Sequence, residues 1–276
     1  MSLKNKVAVI TGAGGVLCSE FARALANEGA KVVLIGLHEE NVKRVADEIT
    51  EQGGIALYYA CNVLDKKSIE SVRDDILSKF GKCDILINGA GGNNPRATTY
   101  NEYYNEGDET REDVKTFFNI SSEDFNAVFS LNLMGTLLPS QVFAPDMLNR
   151  EGVILNVSSM NAYKPLTKIP AYSSAKSAVT NLTEWMAVHF ATAGIRVNAI
   201  APGFFVTKQN KDLLFDSEGN PTPRSNKILN ATPMGRFGKP EELVGTLLWL
   251  CDNEKSGFVT GICVPVDGGF SAYSGV

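Results

Sequence analysis

The feature that most constrains the fold is a repeated alternation of short apolar runs with longer amphipathic stretches. The short runs are rich in β-branched residues and nearly continuous in apolar side chains, as in strands that are buried on both faces of a sheet. Strand, helix and strand repeated along a chain predict right-handed crossovers and a parallel, doubly wound α/β sheet. The predicted strands are VAVI, VVLI, IALYYA, ILIN, VILNV, RVNAIA and CVPV.

The stretches between these runs carry apolar residues at helical spacing, which predicts helices that cover the sheet. With 276 residues and no long linker rich in proline, serine or glycine, residues 1–276 are predicted to form a single domain with a large core. Two of the predicted helical stripes are Val42, Val45, Ala46 and Ile49, and Ile69, Val72, Ile76 and Leu77.

Two segments interrupt this rhythm. Residues 96–122, an insertion after the fourth predicted strand, carry tyrosines and acidic side chains without a clean period. A segment of this length inside a domain is either functional or a solvated excursion, and both remain open. Residues 208–238 lie before the last predicted strand and follow the carboxyl end of another, which predicts a lid over a bound substrate.

Composition narrows the classes of partner. The formal net charge of −5 disfavours nucleic acid, so the predicted partner is a small molecule. The five cysteines lack a Cys-x-x-Cys pair and only two histidines occur, so neither a disulfide framework nor a metal site is predicted. The amino terminus has no signal-peptide core and no apolar run reaches the roughly 20 residues of a membrane span, which predicts a cytoplasmic protein without a membrane partner.

A glycine-rich turn follows the first predicted strand, in the segment VITGAGG. Gly12, Gly14 and Gly15 allow backbone N–H groups to approach a pyrophosphate, and the start of the next helix adds its positive end. The segment EGAKVVLI then supplies the second strand. This order predicts a Rossmann-type site for a dinucleotide.

The residues at the end of the second predicted strand bear on the choice between NAD and NADP. At this point a dinucleotide fold commonly carries an acid for the adenosine ribose or a base for a 2′-phosphate. Gly36, Leu37 and His38 stand here instead. Gly36 leaves room for a phosphate, and His38 and Lys43 are either candidate bases or ordinary surface residues. The predicted cofactor is NAD or NADP, with the choice open.

Tyr172 stands four residues before Lys176 in the segment PAYSSAKSAV, whose small residues suit a helix. Side chains at this spacing lie on the same face of a helix, so both can point into one site. Because a nearby positive charge favours the phenolate, the pair could exchange a proton near neutral pH. The spacing alone also fits two residues on a partly exposed helix.

Several motifs then occur in order, namely TGAGG, NGAG, LNLMGT, NVSS, YSSAK and RVNAIAPGFFVT. Together they resemble the short-chain dehydrogenase/reductase family across nearly the whole chain. The segments TGAGGVLCS, LINGAGGNNPRATT, GFFVTKQN, TPMGRFGKPEELVGTLLWL and VPVDGGFSAYSGV further resemble the D-mannonate oxidoreductase (fructuronate reductase) branch of this family. That resemblance implies reduction of the keto sugar acid D-fructuronate to D-mannonate.

The resemblance implies a role for each of four catalytic residues. Tyr172 would exchange the proton with the substrate oxygen, and Ser159 would hydrogen-bond that oxygen. Lys176 would hold the nicotinamide ribose and lower the pKa of Tyr172, and Asn132 would keep a proton-relay water in place. A base for the hydroxyl proton is also what the removal of a hydride from an alcohol requires chemically.

The predicted cofactor contacts extend from the glycine turn to the end of the sixth strand. The resemblance implies that Thr207 meets the carboxamide and that the turn at Asn62–Val63 meets the adenine. The family's glycine pattern is altered here, because Val16 and Cys18 replace two glycines and Gly89 replaces an asparagine. The complete set of predicted contacts is Gly12, Gly14, Gly15, Leu17, Leu37, Asn62, Val63, Asn88, Ala90, Tyr172, Lys176, Pro202, Gly203 and Thr207.

A sugar acid presents hydroxyl groups and a carboxylate, so its pocket needs amides and at least one cation, for which arginine is the best planar match. Asn93, Asn94 and Arg96 follow the fourth predicted strand, and Asn161 follows Ser159. These four are the predicted substrate contacts at the rim of the cleft, with exposed loop residues as the alternative for each. Weaker candidates in the lid are Lys208, Gln209, Asn210 and Arg224.

Three functions remain open from the sequence. The first is a reductase of a keto sugar acid, and the second is a short-chain dehydrogenase for a ketogluconate, a polyol or an acyl thioester. The third is a dinucleotide-binding sensor without turnover. The resemblance also implies a homotetramer that pairs through long helices, whereas the stripe Val179, Leu182, Met186 and Phe190 on one of them fits simple core packing.

Overall fold

The computed structural model describes residues 3–206 and 211–275. Within these ranges the strands are β1 (Val7–Thr11), β2 (Lys31–Gly36), β3 (Ile55–Ala60), β4 (Ile85–Asn88), β5 (Gly152–Val157), β6 (Ile195–Pro202) and β7 (Cys263–Val266). They form one sheet in the order β3-β2-β1-β4-β5-β6-β7, and every neighbouring pair is parallel. Each predicted run forms a strand, so the parallel, doubly wound sheet is confirmed.

Helices connect the strands and cover both faces of the sheet. The described α-helices are α1 (Val16–Asn27), α2 (Glu39–Glu51), α3 (Lys66–Lys79), α4 (Ser122–Met147), α5 (Pro170–Phe190), α6 (Lys211–Leu214), α7 (Pro223–Asn230), α8 (Val244–Cys251) and α9 (Asn253–Ser256). Short 3-10 turns lie at Pro95–Ala97, Asp108–Thr110, Phe117–Asn119, Met160–Ala162, Ala191–Ala193 and Pro240–Leu243.

Alternate side chains of each strand enter opposite cores, because successive residues of a strand point to opposite faces. Ile10 of β1 joins a cluster with Phe21 of α1, which also contains residues of α2 and α8. Val9 points the other way and joins a cluster with Phe143 of α4, which also contains residues of α3 and α5. The sheet is therefore buried between two helical layers.

The two predicted helical stripes lie on α2 and α3. The four residues of the first stripe are all buried, as are Ile69 and Ile76 of the second. Leu77 lies on the helix as predicted but not on its buried face, because 37% of its surface is exposed. Ile69 and Ile76 are seven residues apart and define a narrow buried face, and Leu77 is turned roughly 100° away from Ile76 around the helix.

One helix in the described part of the chain, α4, is long and apolar enough to cross a membrane by length and composition, with a mean hydropathy of 1.3. Half of that stretch is buried inside the fold. Asn132 and Asp146 are buried on this helix, and the Asp146 carboxylate pairs with Arg73 of α3. α4 thus has the packing of a core helix of the sheet.

The insertion at residues 96–122 lies beside the first turn of α5. Ala97 is buried in a small cluster that includes Tyr172 of that turn. Farther along, Glu102 accepts a hydrogen bond of 3.0 Å from Lys227 on α7, in the segment predicted as a lid. The insertion therefore connects α5 with the part of the lid segment that the structure describes.

Candidate active site

A crevice opens at the carboxyl ends of β1 and β4, where the sheet order reverses direction, and such points are where ligands bind in open α/β sheets. Gly12 follows β1 with a φ of 66°, in the left-handed region that favours glycine. A Cβ atom at Gly12 would lie 2.7 Å from the carbonyl oxygen of Gly89, so only glycine lets the loop after β4 approach this closely.

The helix that follows the glycine turn presents its N-terminus to the crevice. α1 begins at Val16, and Gly15 caps it without a side-chain hydrogen bond. The first turn carries no acidic residue. The N–H groups and the positive end of the helix dipole suit the anionic pyrophosphate of a dinucleotide.

The crevice continues into a cleft of about 530 Å³, within the roughly 300–1,000 Å³ usual for small-molecule and cofactor sites. Its lining includes the glycines of the turn after β1 and three of the four predicted catalytic residues, Ser159, Tyr172 and Lys176. The lining residues are Gly12, Gly14, Gly15, Val16, Leu17, Cys18, Gly36, Leu37, His38, Asn41, Val42, Gly89, Gly91, Gly92, Val157, Ser158, Ser159, Tyr172, Lys176, Pro202 and Gly203.

Ser159 and Tyr172 meet at one end of this cleft. Ser159 caps the 3-10 turn after β5, and its Oγ accepts a hydrogen bond of 3.2 Å from the N–H of Asn161. Since the hydroxyl oxygen accepts from the backbone, its O–H stays available as a donor. Tyr172 lies on the first turn of α5, which starts at Pro170, and its phenol is near enough to Ser159 for that hydroxyl to oppose the rise of the Tyr172 pKa.

Lys176 lies one turn farther along α5, as its spacing from Tyr172 predicts. Its Nζ donates to the carbonyl oxygen of Val157 at 2.8 Å and lies 5.6 Å from the centroid of the Tyr172 ring. Only 5% of the lysine is exposed, and burial lowers its pKa from 10.5 to about 8. The ammonium group is therefore close to its titration midpoint near physiological pH.

The net direction of the Tyr172 pKa differs from the expected lowering. Burial of the phenol raises its pKa, and the nearby hydroxyl of Ser159 lowers it only in part. The reason is geometric, because the ammonium of Lys176 binds the Val157 carbonyl rather than the phenol oxygen. Without further ligands, Tyr172 is a protonated donor.

Asn132 is fully buried on α4 and holds the loop after β4. Its Nδ2 donates to the carbonyl oxygens of Val128 and Gly92, at 2.8 Å each, and its Oδ1 accepts from the N–H of Gly92 at 3.1 Å. Both amide protons are thus used. A relay water, the role implied by the resemblance, could only donate to the free lone pair on Oδ1.

Some of the predicted cofactor contacts line the cleft and others lie outside its lining. Those that line the cleft are Gly12, Gly14, Gly15, Leu17, Leu37, Tyr172, Lys176, Pro202 and Gly203. Ala90 lies beside the cleft, and its N–H donates to Thr11 Oγ1 at 3.2 Å. Thr207 lies outside the described residues.

The side chains of Asn62, Val63 and Asn88 do not line the cleft. The Asn62 side chain instead accepts from the N–H of Leu64, and Val63 is buried. Asn88 is also buried, because its amide donates at 2.9 Å to Ser140 and to Asn156 below the sheet edge. For these three residues, contact with the cofactor stays a prediction.

The predicted substrate residues are not among the cleft lining either. Asn93 and Asn94 are exposed, and each is engaged locally, with Asn94 Oδ1 accepting from the N–H of Arg96 at 2.9 Å. Arg96 is exposed, as the loop alternative supposed. Asn161 is buried rather than at a rim, with no partner for its Oδ1 in the described residues.

The lid candidates are only partly within the described residues. Lys208, Gln209 and Asn210 lie outside them, and Arg224 is exposed on α7. Asn41 is a lining residue that sequence reasoning missed. Its Cβ lies 2.7 Å from where a Cβ of Gly14 would be, so the first turn of α2 packs on the glycine turn. Its place just after the second strand was the available signal.

The loop after Ser159 is also joined to the carboxyl-terminal part of the chain. Tyr163 donates through its hydroxyl to the carbonyl oxygen of Cys263 at the start of β7, at 2.6 Å. Lys164 donates to the carbonyl oxygen of Tyr273. The segment that carries Ser159 is thus anchored by two bonds to the end of the fold.

The cysteines and acidic residues show no further chemistry of their own. All five cysteines are free, and four of them are buried. In residues 3–206 and 211–275, no group of three or more histidine, cysteine or acidic side chains is arranged to hold a metal ion.

A cleft for a dinucleotide at the switch point of a parallel sheet, with a serine, a tyrosine and a lysine at one end, defines an oxidoreductase that uses a nicotinamide dinucleotide. The model of the short chain dehydrogenase family matches residues 6–217. The chain belongs to this family, as the sequence motifs predicted, and it is an oxidoreductase dependent on NAD or NADP.

The relatives are similar over their whole length. An uncharacterized oxidoreductase of Haemophilus influenzae is 57% identical over all of this chain and 96% of its own length. The uncharacterized oxidoreductase UxuB of Bacillus subtilis is 55% identical over all of this chain and 98% of its own. A solved Haemophilus structure with bound NAD, provisionally assigned as a D-mannonate oxidoreductase, superposes with a TM-score of 0.96 at 56% identity, covering all of this chain and 98% of its own.

Proposed function

We propose that this protein interconverts D-fructuronate and D-mannonate with NAD as cofactor, in the cytoplasm. Ser159, Tyr172 and Lys176 lie together at one end of the cleft, and this arrangement supports the transfer of a hydride and a proton between an alcohol and a nicotinamide dinucleotide. The substrate follows from the motifs of the sugar-acid branch and from the provisional assignment of the Haemophilus structure. The side chains act on the substrate oxygen as described next.

The nicotinamide ring, when bound, supplies the acceptor or donor of hydride. During reduction the protonated Tyr172 donates its proton to the carbonyl oxygen, and Ser159 donates a hydrogen bond to the same oxygen as its charge develops. The ammonium of Lys176, 5.6 Å from the phenol ring, stabilises the phenolate that remains. During oxidation the same phenolate accepts the hydroxyl proton.

Cations beside the insertion are candidate partners for the carboxylate of an acidic substrate. The N–H of Thr99 in the insertion donates to the carbonyl oxygen of Lys168 at 2.9 Å, two residues before α5 begins. Glu102 pairs with Lys227, and this pairing lowers its pKa, with smaller contributions from Lys168 and Arg224. Lys168, Arg224 and Lys227 are thus cations beside the insertion with which the carboxylate of a sugar acid could pair.

The first turn of α2 supports NAD rather than NADP. Glu39 and Glu40 occupy this turn directly after His38, which lines the cleft. Lys43, a candidate base for a 2′-phosphate, instead donates to Asp47. Because Glu39 and Glu40 add negative charge at the start of this helix, we expect NADH to bind at least about tenfold more tightly than NADPH.

The test of this function is the change in cofactor absorbance with a set of carbonyl substrates. We expect NADH to be oxidised with D-fructuronate, and to be oxidised much more slowly with D-tagaturonate, 5-keto-D-gluconate or an acetoacetyl thioester. Turnover with one of the other carbonyls alone would keep the mechanism and refute the substrate. Tight NADH binding without turnover on any of them would favour the non-catalytic sensor.

The pH dependence of reduction follows from the two pKa directions. Tyr172 has a raised pKa and stays protonated, whereas Lys176 loses its charge as the pH passes about 8. We therefore expect kcat/KM for reduction to be level below about pH 8 and to fall above it, since less charge remains to stabilise the phenolate. In the Lys176→Arg control the charge persists, so its profile should lack this fall. A wild-type profile that stays level to high pH would contradict the assignment.

We also propose a homotetramer, in which α4 and α5 pair with those of another copy. Val179 and Met186 of α5 are buried in the chain's own core, which leaves other side chains for contact with another copy. Trp185 and Val188 are 60% and 81% exposed on α5, and at a spacing of three residues they lie on one helix face that another copy could cover.

Light scattering at micromolar concentration should therefore give the mass of four chains, and Val188→Asp should reduce it because a buried charge at an apolar interface is costly. The matched control is Leu77→Asp, which places the same charge on α3 and should leave the mass unchanged. A monomeric wild type, or equal effects of the two variants, would refute the proposed interface.

A further inference from the structure

Cys18 and Gly89, two residues that depart from the family's sequence pattern, compete for one space in the structure. A Cβ atom at Gly89 would lie 2.1 Å from the Sγ of Cys18, and real Cβ contacts essentially never fall below 3.0 Å. The Cys18 thiol thus fills the volume that a side chain at position 89 would need. Either departure taken alone is unexplained, whereas together they fit.

The segment that begins with Gly89 forms the floor of the cleft. The N–H groups of Gly89 and Ala90 donate to Thr11 Oγ1 at 3.1 and 3.2 Å, which ties the segment to the end of β1. Its other side faces α1, where Cys18 occupies the third position of the helix. The distance between α1 and residues 89–92 is therefore set by the volume of the Cys18 thiol.

The far end of the same segment contacts two catalytic residues. Gly92 exchanges two hydrogen bonds with the Asn132 side chain, at 3.1 and 2.8 Å. A Cβ at Gly91 would lie 2.5 Å from Asn132 Oδ1 and 3.3 Å from Lys176 Nζ. A shift of residues 89–92 would thus press directly on Asn132 and Lys176.

We propose that Cys18 and Gly89 are a matched pair of positioning residues, whose packing sets residues 89–92 and, through them, Asn132 and Lys176. The pair acts through volume rather than reactivity. Cys18 is 5% exposed, and burial raises the pKa of its thiol to about 12, so the nucleophilic thiolate is scarce. The inference rests on a nicotinamide dinucleotide as ligand and not on D-fructuronate, so a failed substrate assay leaves it standing.

The test compares NADH with ADP-ribose, which has the adenosine and pyrophosphate groups and lacks the nicotinamide. In Gly89→Ala the new methyl group must displace residues 89–92 or Cys18, and we expect the Kd for NADH to rise by about tenfold to a hundredfold. The Kd for ADP-ribose should rise by a much smaller factor, because only Gly12 of the glycine turn packs against residue 89, whereas Gly14 and Gly15 do not contact it. Both constants are measured by fluorescence titration.

Rescue by a second substitution distinguishes the pair from a general packing defect. In Cys18→Ala/Gly89→Ala the two Cβ atoms would be 3.6 Å apart, an ordinary contact, so most of the lost NADH affinity should return. The rescue is partial, because the carbonyl oxygen of Thr11 would still lie 2.9 Å from the new Cβ. Cys18→Ala alone leaves a cavity beside Gly89, and it should raise the Kd for NADH by a smaller factor than Gly89→Ala does.

Gly245→Ala on α8 is the matched glycine control, since a Cβ there meets nothing within 4 Å. Additive losses in the double variant would overturn the proposal, because they would mean that Cys18 does not exclude a side chain at position 89. Equal weakening of NADH and ADP-ribose would also overturn it, by assigning the pair a merely structural role. Selective loss for NADH with rescue by Cys18→Ala would establish it.

Discussion

Tyr172→Phe is expected to lower kcat by roughly 10²–10⁴-fold, the usual contribution of a positioned proton donor. The substitution removes the hydroxyl that meets Ser159 and leaves the ring in the cluster with Ala97 and Ala171. NADH affinity should therefore stay within about twofold of the wild type, since the ring and its neighbours are retained. The rate of absorbance loss at saturating NADH and a fluorescence titration measure the two quantities.

Tyr163→Phe is the matched control for this prediction. It removes the same atom from a tyrosine near Ser159 whose hydroxyl donates to the Cys263 carbonyl at the protein surface. Its kcat should remain within about threefold of the wild type, because the bond from Lys164 to the Tyr273 carbonyl still anchors the serine loop. Comparable losses in the two variants would mean that the proton comes from elsewhere.

Gly12→Ala should have the second large effect, on cofactor binding. A residue with a side chain is strained at the φ of 66° found there, and its Cβ would lie 2.7 Å from the Gly89 oxygen and 2.8 Å from the Ala90 nitrogen. Backbone on that side cannot rotate away as a side chain could. We expect the Kd for NADH to rise by at least about tenfold and the free energy of unfolding to fall by roughly 1–3 kcal/mol.

Gly245→Ala again supplies the comparison, because it introduces the same methyl group into open space on α8. Replacement of a helical glycine by alanine usually stabilises by about 0.5–1 kcal/mol, so its melting temperature should be equal to or above that of the wild type. If Gly12→Ala binds NADH as the wild type does, the glycine turn is not the pyrophosphate site.

The strands and the glycine turn were predictable because each depends on local physics. Nearly continuous apolar runs are typical of strands buried on both faces of a sheet, and glycines after a first strand allow the positive φ of a tight turn. Tyr172 and Lys176 were predictable for the same reason, since helical spacing fixes their common face.

The residues whose surroundings were not predictable are those whose direction depends on partners far along the chain. Asn88 ends β4, and whether its side chain faces the cleft or the core is decided by pairing with β5 and by Ser140 of α4. Asn161 is buried because the turn that Ser159 caps directs it inward. Cys18 and Gly89 could not be matched from the sequence, because only the packing of α1 against the loop after β4 brings them together.

The bonds from Tyr163 and Lys164 to Cys263 and Tyr273 have a practical consequence for how the protein is handled. A bulky affinity tag fused beyond the carboxyl end would pull on the backbone that anchors the serine loop, and a tagged preparation could then understate the true rate. An amino-terminal tag, or one removed by proteolysis before assay, avoids this artefact. Kinetic comparisons among laboratories should therefore specify the end at which the tag was placed.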